Sequence, residues 1–463
     1  MQSRSQAYSI RRGSTRAEVQ AVKRQEESEI LNDEADTEAL LEPQPSGPHS
    51  TVPSYGSPRG LLGSGAGDAA ARRAAFARNR SLTMNRTKRR WWRSDARALQ
   101  EILSNWVNVL LITVPLGLVA GALKWSAEYV FVLNFLALIP MALILGDVTE
   151  DLALRYGSVI GGLINATFGN IVEIILSIAA LLNGLYDVVA ASLLGSILSN
   201  LLLVTGCSFF FGGLFNKTQK FNATGNQASS SLLFLAALGF LIPTGASFLF
   251  GHGDVDDESK LVLGISRGTA VVLLLCYACY LGFQLYTHTE LFEESAEESP
   301  GGGLPAEPQE PMMTLFTSLT LLTVITLAVA AASEYLTSSL TEFSQSSGLG
   351  EAFLGTIVLP IAGNACEHMT AVIVATKNKM DLSMGVAVGS SIQVALFAVP
   401  FAVVVGWCTG HPFTLKFDPF SAMALMLSVA QSNFVTAGAT SHWLLGVQLI
   451  ALYALLSLAY YFK

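Results

Sequence analysis

Two glutamates stand within long apolar segments, at positions where a charged side chain is costly. Glu173 and Glu367 each follow an asparagine by three residues, and neither has a Lys or Arg at helical spacing to pair with. An ionisable group in the middle of a membrane usually faces a partner or a water-filled cavity. Carboxylate oxygens are the hard ligands that Ca²⁺ prefers. The sequence therefore predicts a metal site at which Glu173 and Glu367 bind a transported cation.

The residues that precede each glutamate fit such a site. Asn170 and Asn364 lie one helical turn before the glutamates and so share a helix face with them. Gly169 and Gly363 come directly before the asparagines and permit a kinked or unwound backbone. Freed carbonyl groups at such a break could complete the ligand shell of the ion, as broken helices do in transporters.

The same carboxylates explain how a cation could be exchanged for protons. A carboxyl group in a dry site takes up a proton when no cation is near, so Ca²⁺ and H⁺ compete for the same oxygens.

Three further polar residues are candidates for the same site. His368 follows Glu367 and is expected to accept a proton or to hold the glutamate by a hydrogen bond; a structural histidine is the alternative. Ser199 and Gln393 are expected to face the ion directly or through water. The alternative for both glutamates is that they stay protonated and only hold helices together.

Four more carboxylates are candidates for cation access or gating. Asp147, Glu150 and Asp151 lie before the third apolar span, and Glu334 follows the seventh span on the opposite side. Solvation of carboxylates at the membrane interface is the other interpretation of these positions.

An internal repeat relates the two glutamate segments. Adding 194 to the residue number maps one segment onto the other without a gap: Gly161 to Gly355, Gly169 to Gly363, Asn170 to Asn364, Glu173 to Glu367, Asp187 to Asp381, and Gly195-Ser196 to Gly389-Ser390. Each copy contains five spans, an odd number, so the two copies must insert with opposite orientation. Inverted repeats of this kind build many secondary transporters, with the site at the midplane where the copies meet.

Composition places these segments in a membrane protein. The chain is 51% hydrophobic and 13% charged, where soluble proteins have about a quarter charged residues. Apolar runs of about 20 residues are long enough to span a bilayer as helices. Eleven such spans are predicted, at about 104–123, 128–146, 157–182, 188–212, 228–250, 262–287, 313–333, 350–376, 382–405, 417–437 and 442–462. The predicted fold is an all-α polytopic membrane protein with one N-terminal helix and two inverted five-helix repeats.

Charge distribution predicts the domain boundaries and the orientation. Of the 27 Lys and Arg residues, 17 lie before residue 98, which favours a disordered cytosolic tail that ends in a basic block. The basic residues do not form one folded face, so nucleic acid is not an expected partner, whereas the lipid bilayer is. Autoinhibition by the tail is left open, and the C-terminus is expected to be lumenal. The predicted parts are the tail (1–98), the first transmembrane helix (99–127), the first repeat (128–287), an acidic cytosolic linker helix (288–312) and the second repeat (313–463).

Asn165-Ala-Thr-Phe-Gly-Asn-Ile-Val-Glu173 and Gly363-Asn-Ala-Cys-Glu-His368, with Ile265-Ser-Arg-Gly268 and the acidic linker, resemble the signatures of the Ca²⁺/cation–proton exchanger (CAX) family. The resemblance covers about residues 100–463. It implies eleven membrane helices, a vacuolar membrane, and export of cations from the cytosol driven by the proton gradient. The family's functional positions correspond to Glu173, Glu367, Asn170, Asn364, His368 and Gln393. Ile171 and Cys366 depart from the family pattern, which often has a small Ala there.

The expected protein is thus a transporter, not an enzyme, with Ca²⁺ and H⁺ as substrates and no permanently bound cofactor. Mn²⁺ is left open as a second transported ion, and exchange centred on Mn²⁺ or Na⁺ is one alternative. A cation channel or a Ca²⁺ sensor is the alternative of a different class, and the inverted repeat argues against it. The sequence leaves the oligomeric state open.

Overall fold

The apolar runs fold as helices that pack into one bundle in the computed structural model, which describes residues 95–250, 255–291 and 311–463. The predicted tail up to residue 94 and most of the acidic linker lie outside the described residues. The helices are α1 (Asp95–Leu103), α2 (Trp106–Ala122), α3 (Ala127–Ala153), α4 (Gly157–Phe168), α5 (Ile171–Leu182), α6 (Tyr186–Phe215), α7 (Ala223–Phe250), α8 (Val255–Gly282), α9 (Leu315–Ser347), α10 (Glu351–Gly363), α11 (Ala365–Thr376), α12 (Met380–Thr409), α13 (Pro419–Thr436) and α14 (Trp443–Tyr461).

Seven of these helices are long and apolar enough to cross a membrane: α3, α6, α7, α8, α9, α12 and α14. Three bent pairs, α1 with α2, α4 with α5 and α10 with α11, raise the number of candidate spans to as many as 10 if each pair is one span. Helix α13 is 18 residues long, and its residue range coincides with the predicted tenth span. The described part of the chain is therefore mostly helical and membrane-spanning, while the count of eleven stays a prediction.

The first predicted span is not one straight helix. Helices α1 and α2 meet at an angle of 90°, and α2 begins with a 3₁₀ segment, Trp106–Ile112. The Asn105 side chain accepts a hydrogen bond from the Val107 N–H and so caps this second start. The prediction of a single helix over 99–127 was therefore wrong in its first third.

Helix α9 is much longer than the predicted seventh span. It continues through Glu334 to Ser347, because the residues after the apolar run are polar but include no Gly or Pro. It ends at Gly348, whose φ of +73° is the left-handed conformation that closes many helices. Glu334, which was predicted to follow the seventh span, accordingly lies within α9.

Helices α3 and α9 run antiparallel along each other. At one end the rings of Phe131 and Phe343 stack with centroids 4.1 Å apart. At the other end the Asp151 carboxylate accepts hydrogen bonds from the backbone N–H groups of Met312 and Met313, at 2.5 and 3.2 Å. This pair of long helices forms one wall against which the broken helices pack.

Two helix breaks interrupt the remaining helices, and π-helical turns occur within α6, α10 and α12 and directly after α8. The axes of α4 and α5 differ by 42° at Gly169-Asn170, and those of α10 and α11 differ by 58° at Asn364. The predicted breaks at the two Gly-Asn pairs are confirmed. Two of the π-helical turns, Ser199–Val204 in α6 and Val394–Ala398 in α12, occupy nearly equivalent places under the offset of 194 residues. The described residues also include a two-residue antiparallel ladder between Gln219–Lys220 and Thr440–Ser441.

Candidate functional site

Both predicted glutamates lie in the first turn of the helix that follows a break. Glu173 in α5 is 6% exposed and Glu367 in α11 is 8% exposed. Neither oxygen of the Glu173 carboxylate has a hydrogen-bond partner among the described residues, and the same holds for Oε2 of Glu367. Buried carboxylate oxygens without a protein partner are costly, so they are suited to a cation or a proton. The N-terminal turn of each helix adds a favourable dipole for a negative charge.

Gly363 allows the Glu173 carboxylate to reach the other broken helix. A Cβ atom added at Gly363 would lie 3.0 Å from Oε1 of Glu173. A carboxylate of the first segment thus touches the backbone at the break of the second segment. This contact places Glu173 against the turn of chain that leads to Glu367, so the two segments share one site.

The two asparagines join the segments through reciprocal hydrogen bonds. The Ser196 hydroxyl donates to Oδ1 of Asn364 at 2.9 Å, and the Ser390 hydroxyl donates to Oδ1 of Asn170 at 2.6 Å. Adding 194 to the residue numbers of one bond gives those of the other. Each asparagine therefore binds the serine that the opposite copy of the repeat provides.

The amide nitrogens of the two asparagines break this symmetry. The Asn364 amide donates to the Ser196 carbonyl at 3.3 Å, whereas the Asn170 amide donates to Oε1 of Gln393 at 2.5 Å. Gln393 is thereby brought into the site, as predicted from its position. The second half of the chain provides a longer polar side chain at this level than the first.

A cavity of about 880 Å³ leads from the surface of the bundle to this site. Its described lining includes Glu367, Asn170 and Gln393 but not Glu173. Toward the surface it is lined by charged residues of both signs, namely Asp147, Glu150, Lys377, Lys379 and Asp381. Two of the predicted access residues, Asp147 and Glu150, therefore line a path that reaches one of the two glutamates.

The cavity marks a difference between two equivalent helix contacts, which we call the closed seam (α6 against α10) and the open seam (α12 against α4). At the closed seam a Cβ added to Gly195 would lie 2.1 Å from the Thr356 carbonyl oxygen. At the open seam the equivalent Gly389 has no atom within 4 Å of such a Cβ, and it lines the cavity. One pair of helices is in backbone contact while its counterpart is separated.

Two predicted site residues are placed differently. No hydrogen bond joins the half-buried His368 ring to Glu367 in the described part of the chain. The Ser199 hydroxyl lies beside Tyr453 of α14, and the neighbouring Ser196, one turn earlier in α6, binds Asn364 instead. Ser199 was predicted from its equivalence to Gln393, but in α6 it is Ser196 that contacts the opposite copy of the repeat.

Two predicted gating carboxylates also lie away from the cavity. Asp151 is buried and caps the chain before α9, with further bonds to the Ser318 hydroxyl at 2.9 Å and to Arg155 at 3.5 Å. Its partners are backbone and side-chain donors of the protein, and Asp151 does not line the cavity. Glu334 is exposed on α9 and accepts a hydrogen bond from the Asn183 amide at 3.2 Å, at the end of the bundle opposite the cavity mouth.

Ser196, Ser390 and Asn200 are site residues that we did not predict. The Asn200 amide donates to the Ser390 hydroxyl at 3.0 Å and extends the network around Asn170. The signal for both serines was present in the sequence, because the repeated Gly-Ser pairs are part of the offset of 194 residues. The sequence did not show which way the two serine hydroxyls point.

Cys366, a departure from the family pattern, is accommodated by a glycine on the neighbouring helix. A Cβ added to Gly146 of α3 would lie 2.4 Å from the Cys366 sulfur. The larger thiol therefore fills space that a side chain at residue 146 would need.

Among the described residues no three His, Cys, Asp or Glu side chains cluster as a metal site. A bound cation would therefore rely on the two glutamates together with amide, hydroxyl, carbonyl or water oxygens.

Comparisons with known proteins give a consistent result. The family described as sodium/calcium exchanger protein matches residues 127–286 and 317–462. The vacuolar calcium ion transporter of Schizosaccharomyces pombe is 40% identical over 361 residues, which are 78% of this chain and 86% of that protein. The Ca(2+)/H(+) antiporter of Synechocystis is 42% identical over 362 residues, which are 76% of this chain and 96% of that protein. The structure of native YfkE has a TM-score of 0.65 and 32% sequence identity, and the match covers 77% of this chain and 100% of that chain.

Proposed function

Because this chain belongs to the sodium/calcium exchanger family and, within it, to the Ca²⁺/cation–proton exchangers, we propose that it exchanges cytosolic Ca²⁺ for lumenal H⁺ across a vacuolar membrane. The observation that carries the proposal is the pair of buried glutamates, in which both oxygens of Glu173 and Oε2 of Glu367 have no hydrogen-bond partner among the described residues. Relatives named as a vacuolar calcium ion transporter and as Ca²⁺/H⁺ antiporters support the choice of ions and compartment.

Glu173 and Glu367 are the groups that Ca²⁺ and protons share in this proposal. Two carboxylates balance the charge of one Ca²⁺, and they must take up protons or the ion to avoid two uncompensated charges in a dry site. Ca²⁺ binding then displaces protons, and protons arriving from the acidic side displace Ca²⁺. Asn170, Asn364 and Gln393 hold the segments at the spacing that the ion needs.

Alternating access is supported by the two seams. The cavity mouth contains Lys377 and Lys379, which the positive-inside rule places in the cytosol. In this proposal the cytosol reaches Glu367 through the cavity, and the closed seam shields the site from the lumen. Closing the open seam and opening the closed one would expose the same carboxylates to the other side, without moving the ion far.

The inverted repeat and the topology belong to the same proposal. The reciprocal Asn–Ser hydrogen bonds and the two seams are what a two-fold relation between residues 128–287 and 313–463 would produce. With one further helix before them, eleven spans place the N-terminus in the cytosol and the C-terminus in the lumen.

Transport by acidified vesicles tests the proposed function. Vesicles that contain the protein should take up Ca²⁺ when the lumen is acidic, and a protonophore should abolish the uptake. Glu173→Gln and Glu367→Gln keep the shape of each side chain, and each should reduce uptake to the level of empty vesicles. Uptake that persists without a proton gradient would contradict proton exchange, and normal uptake in either variant would contradict the site.

A further inference from the structure

One motif of the sequence has no part in the proposed exchange: Ile265-Ser-Arg-Gly268, on α8. Within it, the Ser266 hydroxyl accepts a hydrogen bond from the Leu415 N–H at 3.0 Å and so ties the segment before α13 to the bundle. Ser266 is fully buried, as expected for such a structural contact. Arg267 points elsewhere and takes no part in this contact.

Arg267 is a cation on an apolar membrane helix, and among the described residues it has no opposite charge beside it. It is the only charged residue from Leu261 to Tyr286. In the described part of the chain no carboxylate lies within ion-pair distance of its guanidinium, and its Nε atom is buried without a hydrogen-bond partner. An ionisable group in such a helix requires a partner, because an uncompensated charge in the membrane is energetically costly.

The contact that Arg267 does make is with an aromatic ring at the surface. Its guanidinium carbon lies 4.8 Å from the centre of the Trp407 ring on α12, and Trp407 is 51% exposed. A cation–π contact orients the guanidinium but leaves its positive charge in place. Tryptophan is typical of the membrane interface, where the headgroups lie.

The surface beside Arg267 has the shape and polarity of a lipid site. Gly264 and Gly268 are exposed, and no atom lies within 4 Å of a Cβ added at either position, so the helix leaves a recess next to the guanidinium. Further along the same face, toward the middle of the membrane, Val272 and Leu275 are 57% and 62% exposed. A polar group at the level of Arg267 and a hydrocarbon chain along Val272 and Leu275 would match this surface.

The depth of Arg267 also agrees with a headgroup. Residue 267 is eight positions into the candidate span Ser259–Thr287, about 12 Å along the helix. A long arginine side chain can extend several ångströms back toward the interface while its stem stays among apolar groups. The site lies at the end of the bundle opposite the cavity mouth, far from the glutamates.

We propose that Arg267 binds the phosphate of an anionic phospholipid in the lumenal leaflet, with Trp407 beside the headgroup and an acyl chain along Val272 and Leu275. The planar guanidinium can donate two parallel hydrogen bonds to phosphate oxygens, which an ammonium group cannot do. A net negative headgroup is required because the arginine charge has no compensation within the described protein. The site is independent of the proposed transport function.

Quenching of Trp407 fluorescence by brominated lipids tests this site. The full-length protein is placed in phosphatidylcholine nanodiscs with a small, equal fraction of either brominated phosphatidylserine or brominated phosphatidylcholine. The signal of Trp407 is obtained by subtracting the spectrum of Trp407→Phe. Brominated phosphatidylserine should quench Trp407 at least twofold more than brominated phosphatidylcholine in the unsubstituted protein.

Two substitutions decide whether Arg267 is the cause. Arg267→Gln should make the two lipids quench equally, and Arg267→Lys should retain part of the difference. Lys260→Gln, which removes an exposed cation near the same end of α8, should leave the difference unchanged. Equal quenching by both lipids in the unsubstituted protein would overturn the proposal even if a variant failed to fold. If the difference in quenching between the two lipids survives Arg267→Gln, another residue causes the preference for phosphatidylserine. If Arg267 instead pairs with a carboxylate of a second copy of the chain, the two lipids would quench equally and crosslinking would yield dimers.

Discussion

The Asn–Ser hydrogen bonds are the residue-scale feature that holds the candidate site together. Each crosses from one broken helix to a serine on a helix of the other half, so both must form for the halves to meet at one level. Because all four side chains are buried, loss of one hydroxyl leaves an asparagine oxygen without its partner. The energetic cost of such a loss is about 1–3 kcal/mol.

Removing either serine hydroxyl should therefore weaken cation binding. We expect Ser196→Ala and Ser390→Ala to raise the Ca²⁺ concentration for half-maximal uptake by about tenfold, since about 1.4 kcal/mol corresponds to that factor. Ser391→Ala is the matched control, because the Ser391 hydroxyl bonds only to the Ala387 carbonyl of its own helix. Uptake by acidic vesicles at graded Ca²⁺ concentrations measures this. Equal shifts in all three variants would show a general effect of losing a hydroxyl.

Gly363 should be intolerant of a side chain. In Gly363→Ala the new methyl group would press on the Glu173 carboxylate, since the added Cβ lies 3.0 Å from Oε1. We expect the rate of Ca²⁺ uptake to fall at least fivefold while the protein still inserts into the membrane. Gly245→Ala, at a helical glycine with open space around its Cβ, should transport normally. A Gly363→Ala variant as active as Gly245→Ala would contradict the contact with Glu173.

The sequence predicted which residue types form the site better than it predicted their positions and contacts. The glutamates, the asparagines and Gln393 were found from one offset, because apolar surroundings and repetition single out polar residues. Ser199 was chosen because it is equivalent to Gln393, but the sequence does not show that Ser196 is the serine of α6 that reaches Asn364. The structural contacts of Asp151 could not be predicted because its partners, the backbone N–H groups before α9, lie some 160 residues later in the chain.

At the scale of helices, the closed and open seams show how the two halves differ. Gly195 and Gly389 are equivalent by sequence, yet only Gly195 meets the backbone of the facing helix. The same is true one turn earlier, where Ala191 is in contact with Gly355 while its counterpart Gly385 faces open space. Equivalent positions in the sequence thus coexist with two different packings, which is what the proposed alternating access requires.

Cysteine labelling should distinguish the two seams. In a chain whose five native cysteines have been replaced, Gly385→Cys lines the cavity and should react with a membrane-impermeant maleimide added from the cytosolic side. Ala191→Cys, at the equivalent place in the closed seam, should react at least tenfold more slowly. Measuring both rates in sealed vesicles of known orientation tests the assignment. Similar rates at the two positions would contradict the asymmetry.

Asp151 and Glu150 are neighbours with different expected effects. Asp151→Ala removes the charged acceptor for two N–H groups and a hydroxyl at the start of α9, so we expect a loss of stability of roughly 3 kcal/mol. Glu150→Gln is exposed in the cavity mouth and should leave the unfolding temperature unchanged while slowing uptake at low Ca²⁺. Thermal unfolding of the two purified variants in detergent separates these effects. A stable Asp151→Ala protein would show that the α9 start is held by other contacts.

At the scale of the whole molecule, an odd number of spans requires the chain ends to lie on opposite sides. We expect an N-terminal tag to be digested by protease added to intact vacuoles, and a C-terminal tag to be protected until the membrane is opened. Digestion of both tags in intact vacuoles would contradict eleven spans and the inverted repeat with them. A soluble lumenal marker controls for the integrity of the vacuoles.

Hydropathy predicted the large-scale architecture because apolar runs of membrane length are an unambiguous signal. It placed the end of α9 some fourteen residues too early, since polar helix formers such as Glu334 continue a helix without being apolar. It also missed the 90° turn between α1 and α2, which depends on a cap at Asn105 and not on hydropathy. Length and polarity therefore fixed which segments enter the membrane, but not where each helix bends or stops.

The central claim is that one pair of carboxylates carries Ca²⁺ and protons in turn, and simultaneous recording of both ions tests it most directly. Purified protein is reconstituted into acidified liposomes with a pH dye and a Ca²⁺ dye inside, and Ca²⁺ is added outside with the membrane potential clamped. We expect the interior to gain Ca²⁺ and lose protons together, and both signals to vanish in Glu173→Gln and in Glu367→Gln. Ca²⁺ entry without proton loss, or coupled movement that survives either substitution, would contradict the account.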